Sequence, residues 1–522
     1  MKRLSFISFL LLFSFFANAQ FFQYAEGPVF PDPGPGFAKI LQMKDASTIF
    51  IHVSFTKGLD VQVYGFQYKE KTETKIEPAY GTLNAGNVEA IFEINGDAVV
   101  MVSNTANNET VLYRLIIDGK TGKLKEEKQI ASVKRATATS LPQLAVRKDP
   151  NSENYAVATF RSFESDTSKR IEISIYGNDN REISRGYYSS KTEKYKYLQY
   201  IDMVVIGSDK VAMLLYGYNI KSSNEKTGEL IFATLDKGTK PVVINELDLS
   251  RDLLPENGIA RYDPEKKRIM LLTTAKIKSE SDKLNAYLGF VDPATRKLIT
   301  NKIVSPGEKV DAKYAEITGK KIGYTGLPQD LFMYRDGVYS IVYEEMEPVK
   351  ENDTASHTIL RNTAVATYNN EGEITSSYLI PLDHYVPNVL MPAFYQSARD
   401  IAGQQISGNN QFKSSAYLSD GHTSFVVFND NDSNTQSAIS GKVEQFNEVK
   451  DADGFYSLLT GNDIIPGRGY VFGKPVPVLG QVQHKAGMFT VYDYDMANNI
   501  FVVLKQDKDL LHPGVKLVWL QP

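Results

Sequence analysis

The sequence predicts an all-β protein, from its short apolar runs, its turn residues and its lack of helical periodicity. Apolar stretches of strand length alternate with polar clusters rich in Gly, Asn and Asp, which favour tight turns. Tyr and Phe are abundant, at 30 and 27 residues, and both suit half-buried strands. The best candidate for a helix is the segment 393–404.

One unit recurs eight times: an alternating strand, a tight polar turn and a more apolar strand. This pattern is typical of a β-hairpin. The eight hairpins begin at Lys39, Val88, Gln143, Ile201, Gly258, Asp330, Ser415 and Phe489.

A third strand, a turn and a fourth strand follow most of these hairpins. An example is the strand Val111–Ile117, followed by the turn Asp118–Gly122 and a new strand from Lys123. Tandem four-stranded units are typical of a β-propeller. We therefore predict one propeller of seven or eight four-stranded blades. Eight is favoured, and seven stays open because the segment 429–488 is difficult to divide into strands.

The final strand, Val515–Leu520, leaves the last unit one strand short. We expect the segment 21–37 or a neighbouring extended stretch to supply that strand, because closing the ring removes exposed sheet edges. Two separate β-domains, such as sandwiches, are the alternative. No linker rich in Pro, Gly and Ser divides the chain, which favours the single propeller.

The N-terminus predicts export. Met1-Lys2-Arg3 precedes an apolar run, Leu4–Phe16, and a small-x-small site at Ala17-Asn18-Ala19. This run is shorter than the roughly 20 residues of a membrane-spanning helix. We predict a signal peptide over 1–19, a propeller domain over 20–522 and no transmembrane segment.

The amino-acid composition limits the cellular compartments and the classes of partner that we expect. The chain has no Cys, whereas extracellular eukaryotic proteins of this size usually carry disulfides. We therefore predict a bacterial exported protein in the periplasm, at the cell surface or outside the cell, and favour the periplasm or surface. The formal net charge is −4, with Lys and Glu interspersed, so we expect no nucleic acid partner. The six His show no metal-ligand spacing, and no HExxH, GxSxG or P-loop motif occurs. The sequence therefore predicts neither a catalytic residue nor a resident cofactor.

Two acidic groups have alternative interpretations. The run 429–434 includes Asp430 and Asp432, whose oxygens could converge on calcium. We interpret the run as a polar loop and keep calcium as the second hypothesis, because Gly and a distal Glu are missing at the EF-hand offsets.

Glu344 and Glu345 are interpreted as a charged strand end. Adjacent strand residues point to opposite faces, so these two cannot form a glycosidase pair.

The eight hairpins and the Ala-Asn-Ala-Gln end of the signal segment resemble exported propeller-type proteins of Bacteroidetes bacteria. The resemblance implies the propeller fold and an exported location. The resemblance is one of pattern alone, because the chain has no WD dipeptide and no kelch double glycine. It therefore assigns no catalytic residue to this chain.

The first functional hypothesis is a non-enzymatic binding or scaffolding propeller in the bacterial envelope, whose partner is another envelope protein or a glycan. A propeller hydrolase or lyase acting on a polysaccharide or peptide is the alternative. The candidate site is the long segment 384–411, because long loops often carry function. Its predicted contact residues are Tyr385, Met391, Phe394 and Tyr395, although the segment could instead pack across the base of a blade.

Overall fold

The computed structural model describes the following residues of the chain: 21–68, 71–83, 86–134, 143–160, 170–188, 195, 197–218, 228–247, 253–277, 284–350, 356–408, 410–449, 452–478, 481–484, 487–507 and 514–522. The predicted signal peptide, residues 1–19, lies outside this set. None of the helices within it is long and apolar enough to cross a membrane.

The strands form eight antiparallel blades arranged as a propeller, which confirms the predicted fold class and the favoured blade number. Strand β1 precedes the first blade. The strands of the first four blades, in chain order after β1 (Phe22–Glu26), are β2 (Gly36–Gln42), β3 (Thr48–Ser54), β4 (Gly58–Tyr64) and β5 (Lys71–Ile76); β6 (Asn87–Ile94), β7 (Asp97–Ala106), β8 (Glu109–Asp118) and β9 (Leu124–Lys134); β10 (Gln143–Lys148), β11 (Tyr155–Phe160), β12 (Ile171–Tyr176) and β13 (Glu182–Tyr188); β14 (Tyr197–Ile206), β15 (Lys210–Tyr218), β16 (Gly228–Asp236) and β17 (Val243–Leu247).

The remaining four blades continue the same order. Their elements, with the helices between them, are β18 (Leu253–Asp263), β19 (Arg268–Ile277), β20 (Leu284–Asp292) and β21 (Lys297–Val304); helix α1 (Glu308–Thr318); β22 (Leu327–Met333), β23 (Tyr339–Lys350), β24 (Ser356–Tyr368) and β25 (Ile374–Val386); helix α2 (Tyr395–Ala402) and β26 (Gln404–Ile406); β27 (Ser415–Ser419), β28 (Ser424–Asn431), helix α3 (Asn434–Ser437), β29 (Ala452–Leu458) and β30 (Gly469–Tyr470); the hairpin β31 (Val476–Val478) and β32 (Gln481–Gln483); β33 (Met488–Asp495), β34 (Ile500–Asp507) and β35 (Gly514–Gln521). Short 3-10 turns lie at Arg335–Gly337, Asn410–Phe412 and Ala438–Ser440.

The first strand of each blade lies nearest the axis. These strands contact one another in sequence from blade 7 through blades 8 and 1 to blade 6. Because each blade is packed between two others, the middle strands bury both faces. In β3, six consecutive residues from Thr48 to Val53 are buried. This explains why the second strand of each hairpin is an almost continuous apolar run.

The ring closes between the two ends of the chain. Strand β1 pairs antiparallel with β35, with Phe22 opposite Gln521 and Glu26 opposite Val518. Blade 8 therefore takes three strands from the C-terminal end and one from the N-terminal end. This confirms the predicted closure by the segment 21–37.

Two regions depart from a simple four-stranded repeat. Helix α2 confirms the predicted helix within 393–404, whereas α1 was not predicted. In blade 7, the insertion 432–451 separates β28 from β29, and the outer strand β30 is only two residues long. These irregularities explain why the segment 429–488 was difficult to divide into strands.

Candidate functional site

The long segment between β25 and β27 enters the centre of the ring. Phe394 donates its N–H to Pro328 O of blade 6 at 3.1 Å. From blade 5, Asn257 Nδ2 donates to Ala393 O at 3.0 Å. From blade 1, Lys39 Nζ donates to Asp400 O at 2.6 Å. Helix α2 is thus held by the innermost strands of blades on several sides of the axis, and we call the segment 387–414 the plug.

The buried face of α2 is polar because the channel it fills is polar. Gln396, Ser397 and Arg399 are its buried residues. Ser397 Oγ accepts a hydrogen bond from Arg261 of blade 5 at 2.7 Å. Arg399 Nη2 donates to Tyr492 Oη of blade 8 at 2.9 Å. The helix therefore joins blades 5 and 8 by hydrogen bonds between side chains.

Gly403 allows the chain to leave α2 close to blade 1. Its φ is 95°, a conformation that favours glycine, and its N–H donates to Arg399 O at 2.7 Å. A Cβ at this position would lie 2.7 Å from Ala38 O. The next strand, β26, pairs with β2 through Gly36 and Ala38, so the plug adds a fifth strand to the sheet of blade 1.

Alternating charges link four neighbouring blades around the channel. Arg147 Nε donates to Asp202 Oδ1 at 2.8 Å, and Arg261 Nη1 lies 3.4 Å from Asp202 Oδ2. Arg261 Nη2 then donates to Asp330 Oδ1 at 2.8 Å. Burial raises the pKa of Asp330 to about 6, although Arg261 opposes this shift. The alternation of sign makes each innermost strand attract the next.

A buried carboxyl lies against the plug on blade 6. Tyr395 Oη donates to Glu344 Oε2, and the same hydroxyl is hydrogen-bonded to Ser414 Oγ. Burial raises the pKa of Glu344 to about 7. Ser414 also donates its N–H to His384 Nδ1 at 3.1 Å, and burial lowers the pKa of His384 to about 3. This cluster is enclosed, so it holds the plug rather than meeting solvent.

The interpretation of Glu344 and Glu345 as a charged strand end is wrong. Both lie inside β23 and are buried, and each accepts a hydrogen bond from a helix, Glu345 from α1 and Glu344 from α2. Glu345 accepts from Tyr314 Oη of α1 at 2.5 Å and from Asn362 Nδ2 at 2.8 Å. The expectation that the two carboxyls do not face each other agrees with their separate partners.

The four predicted contact residues lie in two different places. Tyr385 and Met391 are half-buried beside the start of β24. The Tyr385 ring lies 5.2 Å from His357, and the Met391 N–H donates to Thr358 Oγ1 at 3.0 Å. Phe394 is 4% exposed in the core between blades 5 and 6, and Tyr395 points its hydroxyl at Glu344. They do not form one apolar patch, and a role in partner binding stays a prediction.

The weak calcium candidates have partners within the protein. Asp430 is fully buried, and its carboxylate accepts from Arg468 Nη1 at 2.6 Å and Asn434 Nδ2 at 2.7 Å. Asp432 accepts from Tyr470 Oη. The described residues contain no group of three or more His, Asp or Glu that could hold a metal ion. Arg468 takes the place beside Asp430 that a cation would need.

An open cleft of about 600 Å³ lies on blade 7, and we call it the blade 7 cleft. It was not predicted, because its residues are spread over three segments of the chain. Its lining includes Asp432, Gln436, Tyr456, Arg468, Tyr470 and Lys474.

No family model matches the chain, and no curated protein sequence matches it. Among solved structures, it is similar to the polysaccharide lyase Uly1, with 9% identity and a TM-score of 0.34 over 86% of this chain and 92% of that one. Puromycin hydrolase gives 9% identity and a TM-score of 0.38, over 92% of this chain and 62% of that one. The α-L-arabinofuranosidase Arb93A from Fusarium graminearum gives 8% and 0.32, over 62% and 92%. At these scores the fold assignment rests on the sheet topology itself.

Proposed function

We propose that this protein is a non-enzymatic binding propeller of the bacterial envelope, exported through its N-terminal segment. The observation that carries the proposal is the plug. Helix α2 occupies the axis, and its buried residues Ser397 and Arg399 bond to blades 5 and 8. Two titratable groups with strongly shifted pKa values beside the plug, Glu344 and His384, are fully buried, and each has a hydrogen-bond partner in the plug. Such an axis supports a rigid binding platform better than a reaction channel open to substrate.

The connectivity directs binding to one face of the ring. In each blade, the link from the second strand to the third and the link to the next blade leave at the same end of the sheet. The long segments 305–326, 387–414 and 432–451 are all links of these two kinds. The opposite face carries tight turns such as 43–47 and 95–96. Long connections on a rigid scaffold are the usual place for recognition, so we assign binding to the face with the long links.

The test is affinity capture of tagged mature protein, residues 20–522, from envelope extract, followed by mass spectrometry and glycan analysis of the eluate. A stoichiometric protein or glycan that survives washing would support a binding role. An empty eluate from extracts of several growth conditions would count against it. The control is the same protein unfolded and immobilised, which exposes non-specific retention.

A hydrolase or lyase is the second candidate, and one residue pair favours it. His484 Nδ1 lies 2.8 Å from Asp453 Oδ2, and a carboxylate that orients an imidazole is a common arrangement for general-base catalysis. Asp453 lies on β29 three residues before Tyr456, which lines the blade 7 cleft, so the pair lies near that cleft. Release of products from polysaccharides or peptides by the wild type, but not by His484→Gln, would establish this candidate in place of the first.

A further inference from the structure

We infer that the blade 7 cleft binds an oligosaccharide. This inference rests on the proposed binding function and names its ligand class and its site. The cleft volume, about 600 Å³, falls within the range of roughly 300–1,000 Å³ for small-molecule sites.

The cleft exists because blade 7 is incomplete at its outer edge. Strand β29 has seven residues, but β30 pairs with it only at Phe455 and Tyr456. A Cβ on Gly469 would lie 2.3 Å from the Tyr456 ring, so the chain passes directly over that ring. Asp432, Thr435 and Gln436, which follow β28, line the cleft beside this gap. A short outer strand and a neighbouring insertion thus leave a hollow where the other blades carry a full strand.

The lining chemistry suits a ligand rich in hydroxyl groups. It combines two tyrosines with carboxylate, amide, guanidinium and ammonium groups, and none of the described lining residues is aliphatic. Planar polar side chains exchange hydrogen bonds with sugar hydroxyls. The half-buried ring of Tyr470 can pack on the C–H face of a sugar, whereas Tyr456 is covered by Gly469 and forms the floor of the cleft. Gln436 and Lys474 are exposed, so their side chains can reach a ligand. A peptide would need apolar pockets for its side chains, and the described lining residues supply no aliphatic side chain to form them.

The wall of the cleft is held in place before any ligand arrives. Arg468 and Asp430 form an ion pair at 2.6 Å, with side-chain exposures of 3% and 0%. The Arg468 guanidinium also lies 5.0 Å from the centre of the Phe428 ring. Tyr470 Oη donates to Asp432, which fixes both groups at the rim. A preorganised wall lowers the entropy lost on binding, which favours recognition of a flexible oligosaccharide.

The test uses the mature protein, residues 20–522, in affinity electrophoresis against mannan, laminarin, N-acetylhexosamine oligomers and polygalacturonate. The variant is the double substitution Gln436→Ala and Lys474→Ala, which removes two exposed side chains and leaves the buried wall intact. The matched control is Lys128→Ala with Gln129→Ala, an exposed Lys and Gln beside a second groove of about 510 Å³ between blades 2 and 3. We expect at least one glycan to bind, and the cleft variant to bind about tenfold more weakly, as for the loss of two hydrogen bonds.

The outcomes separate the inference from the function on which it rests. Weakening of polygalacturonate alone by the cleft variant would identify a carboxylated sugar, and equal weakening of a neutral glycan would identify a neutral one. Glycan binding unchanged in the cleft variant would overturn the site. If none of the four glycans binds and affinity capture still recovers a protein partner, the inference of an oligosaccharide ligand is wrong and the binding function stands. If a bound glycan is shortened during incubation, the protein is an enzyme and not only a binding protein, and the blade 7 cleft remains the site.

Discussion

Trp519 donates its indole N–H to Thr48 Oγ1 at 3.0 Å, and this hydrogen bond joins the last strand of the chain to blade 1. The Trp519 ring is fully buried and stacks on Tyr68 at 4.7 Å between ring centres, with Tyr64 packed against its edge. The single Trp of the chain therefore lies at the junction that closes the ring. Blade 8 is held to blade 1 by packing as well as by β1.

Trp519→Phe should destabilise the propeller by about 2 kcal/mol, because it removes a buried hydrogen bond and leaves a cavity beside Tyr68. Urea unfolding followed by far-UV circular dichroism measures this loss. Phe66→Ala is the control, since Phe66 is 72% exposed and its truncation should change the free energy by less than about 0.5 kcal/mol. Equal stability of wild type and Trp519→Phe would contradict the closing role of Trp519.

Asp202→Asn should lower the free energy of unfolding by about 3–5 kcal/mol, because two arginines on neighbouring blades would lose their shared buried carboxylate. Asp202 is 1% exposed and also accepts the Ala260 N–H at 2.8 Å. Thermal and urea unfolding give the measurement. The matched control is Asp179→Asn, whose ion pair with Arg181 is exposed and should contribute little. A loss as small as that of the control would show that the charges do not join the blades.

Glu344 should make the protein less stable as pH rises. Its pKa is about 7 in the folded chain, against an ordinary value of 4.5, so folding favours its protonated form. The stabilisation is full below pH 4.5 and is lost as pH rises through 7, a change of about 3 kcal/mol. Glu344→Gln keeps an uncharged side chain and should unfold with a weaker pH dependence, and at pH 8 it should be at least as stable as the wild type. Unfolding at pH 5 and pH 8 tests this.

The control for that experiment is Glu371→Gln, at an exposed turn position. It should leave the difference between pH 5 and pH 8 unchanged. Asp330 has a pKa raised to about 6 by burial, so part of the pH dependence should persist in Glu344→Gln. A pH profile identical in Glu344→Gln and the wild type would rule out Glu344 as its source.

Gly403→Ala should loosen the plug. The new Cβ would meet Ala38 O, and the φ of 95° is unfavourable for Ala. Gly408→Ala is a matched control within the plug, because its φ is also positive but nothing lies within 4 Å of the added carbon. We expect faster proteolysis between blades 6 and 7 in Gly403→Ala only. Equal cleavage rates in both variants would show that the close approach to blade 1 is unimportant.

The hairpins were predictable because each is local. The eight hairpin starts fall within or beside the first strands of the eight blades, since alternation and turn residues act over a few neighbours. The closing strand β1 followed from counting strands. The positions of the polar turn residues between apolar runs were therefore enough to predict most of the strands and their order.

The channel was not predictable from local pattern, because its groups come from different blades. Arg147, Asp202, Arg261 and Asp330 are separated by 55, 59 and 69 residues, about one blade each. This recurrence of a charged residue in successive innermost strands is the signal that could have revealed the ring. Glu344 gave no such signal, since its burial depends on a helix 51 residues further along. The blade 7 cleft depends likewise on a strand that is too short.

The closing strand also determines how the molecule responds to force. Because Phe22 lies opposite Gln521, the two ends of the chain leave the ladder of β1 and β35 at the same corner. Tension applied between the ends loads the interstrand hydrogen bonds one after another, from Phe22 towards Glu26. Bonds loaded singly yield under less tension than bonds loaded together. The pairing of β1 with β35 is therefore loaded in an unzipping geometry. Tension applied through both ends would separate these two strands before any other blade is strained.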